Sequence, residues 1–211
     1  MNKKLKVLDG GMGAELIARG IMPSNGLWSA RALLDSPDAV MEVHSDYIKA
    51  GAEVITTNSY STIPSYLAKA GMSERYEDLT DIAAKMARTA ADSATTKIEV
   101  AGCLPPLSES YRHDLVPTDS EGLEVYKNLA IVLKPSVDIY LCETMSCARE
   151  AATAAKAARA VDSEKPVWIA WTLDETPGGG LRSGESIEDA MAAVAPFSPD
   201  AYLFNCTAPE A

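Results

Sequence analysis

The residues able to do chemistry sit where short apolar runs stop. "LKVLD" ends on Asp9-Gly10-Gly11, "AEVITTNSY" passes through Thr56-Thr57-Asn58, and "IEVAGC" ends on Gly102-Cys103. "VDIYLCET" ends on Cys142-Glu143-Thr144, "PVWIAWT" on Trp171-Thr172, and "DAYLFNC" on Asn205-Cys206. Catalytic groups in parallel α/β folds gather at the C-terminal ends of the strands, so two carboxylates, an amide and several thiols would there face a common pocket. Each residue also has a plainer reading. Asp9 before two glycines suits a turn with a helix cap, and "GGMGAE" lacks the third glycine of a dinucleotide fingerprint. Glu143, at the edge of a buried strand, needs a partner such as a substrate ammonium or an arginine.

Cys206 taken alone reads more readily as a small buried hydrophobe than as a ligand. Cys103, Cys142 and Cys147 read as packing. Strand alternation turns Cys142 away from the face that Glu143 uses, and Cys147 falls in the first turn of an amphipathic helix. His44, mid-helix in "MEVHSDYI", and His113, in a loop beside Asp114, read as structural or solvated rather than as a metal pair.

The positioning elements follow from hydrophobic period. Val- and Ile-rich runs alternate with segments of helical period, the pattern of a parallel sheet built from βα units. Strands are predicted at 5–9, 52–60, 98–103, 137–144, 166–172 and 200–206. Helices are predicted after "GGMG" as a short helix to about Gly20, over 36–51 with Ser36 as N-cap, Pro37 at the first position and Gly51 at the end, and over 73–93, 119–133, 147–161 and 186–194. "PPLSESYRHDLVPT" carries too many prolines for regular structure, and "LDETPGGGLRSGE" reads as a flexible loop, either a lid over the site or a solvated turn. No linker or change in composition divides the chain, which predicts a single domain over 1–211. Six units fit an open doubly wound sheet as well as part of an eight-stranded barrel.

Bulk composition narrows the function. The 211 residues are 47% apolar, enough for a core, and 30 acidic against 19 basic residues give a net charge of −11. That balance, with no basic run beyond Lys3-Lys4, argues against nucleic acid or an anionic membrane as partner. No apolar stretch approaches the ~20 residues that span a bilayer, and the start offers no signal-peptide core. A cytoplasmic protein with reduced thiols is expected, and no CxxC pair occurs.

"LDGGMGAEL", "PDAVMEVHSDYIKAGAEVITTNSYS", "VAGCLPPLSESY", "DIYLCETMSCAREA" and "LFNCTAPE", in that order and spacing, resemble the homocysteine S-methyltransferase family over essentially the whole chain. The resemblance implies an α/β fold of the (β/α)8 TIM-barrel type, of which about six βα units are present. It implies Zn²⁺ on three cysteine thiolates, activating the thiol of homocysteine to take a methyl group from a small donor and give methionine. Cys206 matches the first zinc cysteine. Asp9, Gly10 and Glu143 match positions that hold the amino-acid end of homocysteine, and Asn58 matches a pocket position. No residue is assigned as an acid, base or nucleophile.

The family's other two zinc ligands, an adjacent cysteine pair in a Gly-Gly-Cys-Cys motif, do not occur here, and the remaining cysteines do not match them. The resemblance therefore implies a chain incomplete at its C-terminus, either a fragment of a longer protein or one that pairs with another chain to close the barrel. "TAPEA", without a capping helix, favours the fragment. The alternative function is a non-catalytic barrel fragment that binds an amino acid without a complete zinc site. A barrel of unrelated chemistry would show a lysine at a strand end or a late phosphate loop, and neither is visible. The donor is left open among sulfonium, betaine and cobalamin methyl groups, with a simple sulfonium favoured because no folate or cobalamin module is attached.

Overall fold

The computed structural model describes residues 5–21 and 27–211, and the chain divides into two compact units. The first comprises residues 1–102 with 135–138, and the second residues 103–134 with 139–211.

In the first unit the predicted opening strand shrinks to a single bridge. Leu8 pairs in parallel with Val54, and the Asp9 N–H donates to the Val54 carbonyl at 3.0 Å. Helix α1 (Met12–Ala18) follows, then a short α2 (Ala32–Asp35) and α3 (Pro37–Lys49). Pro37 begins α3 as expected, but no side-chain hydrogen bond from Ser36 caps it. Gly51, at φ +107°, turns the chain out of the helix at an angle that L side chains rarely adopt. Strand β1 (Val54–Thr56) is shorter than predicted because the chain leaves the ladder after Thr56 and enters α4 (Pro64–Ala68). Helix α5 (Tyr76–Asp92) packs on α3, and its inward Leu79, Ala83, Ala84 and Ala87 follow helical spacing. Strand β2 (Glu99–Leu104) pairs in parallel with β1, with Ile55 opposite Val100.

His44 shows how strictly this core excludes water. Its side chain on α3 is fully buried, and neither ring nitrogen has a hydrogen-bond partner among the described residues. Burial pushes its pKa down to about 4. Because the folded value lies below the unfolded one, stability is complete above pH 6.5 and is lost as pH falls toward 4, by about 3 kcal/mol in all. His44→Leu should raise stability at pH 4 relative to pH 7 by roughly that amount compared with wild type in urea titrations. An unchanged slope would show that another group carries the acid sensitivity.

The second unit is the more regular. Thr118 and Glu121 form a capping box at the start of α6 (Asp119–Leu133), with the Glu121 N–H on Thr118 Oγ1 at 3.4 Å and the Thr118 N–H on Glu121 Oε2 at 3.2 Å. Helix α7 (Ala148–Val161) lies against α6. Its alanines keep the approach close, as does Gly122, where an added Cβ would come within 3.4 Å of Thr153 Cγ2. Buried Glu150 accepts from the backbone and hydroxyl of Ser146 at 3.1 and 3.0 Å, tying the first turn of α7 to the strand before it. Helix α8 (Ile187–Val194) is capped by Ser186, whose Oγ accepts from the Asp189 N–H at 3.0 Å.

Strands β3 (Ile139–Met145), β4 (Val167–Trp171) and β5 (Ala201–Phe204) pair in parallel in chain order, with Cys142 opposite Ile169 and Ile169 opposite Tyr202. In both units each parallel strand lies beside its predecessor in the chain, as in barrel-type βα repeats. Among the described residues no helix is long and apolar enough to cross a membrane.

Candidate functional site

The first unit holds Asp9, Gly10 and Asn58. Asp9 does not cap α1, where Gly11 takes the N-cap position. Its carboxylate reaches across to β1 instead, accepting the Thr56 N–H at 2.7 Å and the Thr56 hydroxyl at 3.0 Å. Burial nevertheless dominates and raises its pKa to about 6, the two Thr56 hydrogen bonds offsetting only part of the desolvation. A carboxylate kept from water in this way gains from a cation brought to it. Gly10 is required for close approach, since a Cβ there would lie 2.7 Å from the Tyr47 hydroxyl oxygen. Asn58 is buried, and its Nδ2 donates to the Ser29 carbonyl at 3.1 Å, anchoring the segment before α2.

The second unit holds Glu143 and Cys206. Half-buried Glu143 accepts the Cys103 thiol at 2.9 Å, so Cys103 is buried as expected and is in addition a partner of the candidate carboxylate. Cys142 and Cys147 do pack: both are buried, and burial pushes both thiols upward. Cys147 is the N-cap residue of α7.

The ladder between β3 and β4 slips between Cys142 and Met145, and Thr144 in that bulge has φ +58° although it is β-branched and fully buried. Bulges of this kind re-aim a neighbouring side chain, here Glu143. Cys206, just past β5, is also left-handed at φ +51° and is the one exposed thiol of the four. Thr144 Oγ1 lies 3.9 Å and Asn205 Nδ2 3.5 Å from Cys206 Sγ, while the Thr172 hydroxyl donates to the Cys206 carbonyl at 3.0 Å.

Sequence reasoning noted Thr144, Thr172 and Asn205 at strand ends but gave them no role. Their contacts join strands far apart in the chain, and the only local signal was the recurrence of polar residues at those ends. The glycine-rich loop predicted to be flexible is instead tied down. Leu173 and Leu181 pair in antiparallel fashion, the Asp174 N–H donates to the Gly180 carbonyl at 2.9 Å, and Arg182 lies over the Tyr111 ring at 5.1 Å. Neither histidine takes part. His44 is in the α3 core, His113 lies in a single turn over 113–115, and no group of three His, Cys, Asp or Glu among the described residues is placed to hold a metal ion.

Comparison with known proteins decides the family. The profile of the homocysteine S-methyltransferase family matches residues 6–211. The chain belongs to the homocysteine S-methyltransferase family. It is 29% identical over 220 residues to the homocysteine S-methyltransferase of Escherichia coli K12, a match covering 97% of this chain and 70% of that protein. Identity to homocysteine S-methyltransferase YbgG of Bacillus subtilis is also 29%, over 96% of this chain and 69% of the relative. The metallated form of the homocysteine methyltransferase MmuM from Escherichia coli superposes with a TM-score of 0.86 at 27% identity, covering 99% of this chain and 77% of that one. The fold class is thus α/β of the (β/α) barrel type, and the chain spans about 70% of the length of such relatives.

Proposed function

We propose that this protein transfers a methyl group from a small sulfonium-type donor to the thiol of homocysteine, giving methionine. The observation that carries the reading is Cys206, the one exposed thiol, fixed at a strand end by polar groups from three strands in a chain of this family. Asp9 and Glu143 are assigned to the amino-acid end of the substrate, with Gly10 allowing close backbone approach and Asn58 shaping the pocket wall. The reaction forms a bond from the homocysteine sulfur to the methyl carbon. It breaks the bond from that carbon to the donor sulfonium, which leaves with the electron pair as a neutral sulfide, and the thiol proton is released to solvent. The test is methionine formation from homocysteine by the protein expressed from its entire reading frame, with S-methylmethionine, S-adenosylmethionine and betaine compared as donors. Product with none of them would remove this reading. A cytoplasmic location suits the reduced thiols that it requires.

The family resemblance implies zinc. A catalytic zinc site draws three protein ligands, and Cys206 supplies one. Among the described residues no further pair completes it, so the residues of this chain alone do not fit the metal. Zinc titrated into the 211-residue chain against a chromophoric chelator should therefore show no tight stoichiometric binding. One equivalent held tightly would mean that ligands have been misassigned.

A further inference from the structure

The ends of β3 and β5 are joined by one carboxamide. Asn205 Oδ1 accepts the Thr144 N–H at 3.1 Å, and Asn205 Nδ2 donates to Thr144 Oγ1 at 2.8 Å. The orientation of the amide is dictated by chemistry, because a backbone N–H can only donate and the atom facing it must be the oxygen. These two bonds satisfy the Thr144 backbone N–H, which lies where the β3–β4 register slips, and engage the hydroxyl of the same residue. They also hold a buried threonine at φ +58°, a conformation that costs on the order of 1–3 kcal/mol and persists only where its surroundings impose it. The same Nδ2 lies 3.5 Å from Cys206 Sγ, and the Thr144 hydroxyl, which accepts from Nδ2, is directed at that sulfur from 3.9 Å.

We propose that Asn205 is the positioning residue of this site: through the left-handed turn at Thr144 it sets the direction of the Cys206 sulfur and the placement of Glu143 on the neighbouring residue. Its importance for catalysis rests on the functional reading above, but its geometric role does not. The arrangement explains why two non-glycine residues at φ +58° and +51° meet at one place. It also explains why the carboxamide is asparagine: aspartate has no N–H for the sulfur or the hydroxyl, and a longer glutamine would displace the pair.

The test uses two readouts that need neither zinc nor homocysteine. The first is amide exchange of Thr144, measured relative to Ile169 on β4 so that any global loss of stability cancels. Asn205→Ala should speed it by about tenfold or more, whereas Asn205→Asp, which keeps the accepting oxygen, should stay within about threefold of wild type. The second is alkylation of Cys206 by iodoacetamide at one fixed pH, a signal specific to Cys206 because the other three cysteines are buried. Asn205→Ala, Asn205→Asp and Thr144→Val each remove a donor facing the sulfur and should shift the rate by about threefold or more, while Thr144→Ser should restore it. A Thr144 amide indifferent to Asn205→Ala, or a Cys206 rate unchanged in both Asn205 variants, overturns the proposal. Both signatures present in a protein that does not methylate homocysteine would establish the clamp and discard the substrate assignment.

Discussion

Cys206→Ser is expected to reduce methyl transfer to homocysteine by about three orders of magnitude in the protein expressed from its entire reading frame, equivalent to about 4 kcal/mol of transition-state stabilisation. Serine keeps the size of the side chain and can accept the same hydrogen bonds from Thr144 and Asn205, so the strand end should keep its shape. What disappears is a soft, polarisable sulfur, replaced by a hydroxyl that stays protonated near neutral pH. The other cysteines cannot substitute for it. Cys142 and Cys147 are buried with their thiols pushed toward the neutral form, and Cys103 is engaged with Glu143. Zinc content of the purified variant, read beside the rate, should fall with it. Activity and zinc content equal to wild type would remove Cys206 from the mechanism.

The second large effect is a trade between stability and binding at Asp9. Its folded pKa of about 6 lies above its ordinary value of 3.8, because burial outweighs the two hydrogen bonds from Thr56. The folded state therefore binds the proton more tightly. The resulting stability is present in full below pH 3.8 and is lost as pH rises through 6, leaving a deficit of about 3 kcal/mol at neutral pH. Asp9→Asn removes the charge while keeping both contacts, since the amide oxygen accepts the Thr56 N–H and the amide nitrogen donates to the Thr56 hydroxyl. The variant should resist urea better than wild type at pH 8 by up to that amount and match it at pH 4. Its affinity for homocysteine should fall by about a hundredfold, as expected when a charged hydrogen bond to an ammonium is lost. Wild type that loses homocysteine affinity as pH falls through 6 would show the same group at work. If Asp9→Asn is less stable at pH 8, the buried carboxylate is stabilising and Asp9 has no energetic reason to draw a substrate ammonium.

Much of the architecture could be read because it repeats. Helical period and end signals located α6 at Asp119–Leu133 as predicted, and the apolar runs before Glu143 and Cys206 became β3 and β5. The first predicted strand, 5–9, contributes only the Leu8 bridge among the described residues, so its short apolar run overstated its pairing. The loop around Gly178, Gly179 and Gly180 looked flexible from composition alone. Its order comes from buried Leu173 and Leu181, whose pairing composition does not reveal.

The site was legible as residue types and not as contacts. Asp9, Glu143 and Cys206 stood out at strand ends, but period-two alternation has no place for a bulge, so Thr144 in a left-handed turn was invisible. Its partner Asn205 lies 61 residues away, and the thiol on Glu143 belongs to a residue 40 positions earlier. Contacts of that range are made by the sheet, and no local window contains both partners.

Isotope transfer tests most directly whether the groups around Cys206 serve methyl transfer to homocysteine. With a methyl-labelled sulfonium donor and homocysteine, the protein expressed from its entire reading frame should release labelled methionine, and the Cys206→Ser protein should not. Labelled methionine formed equally by both, or by neither, would contradict the account.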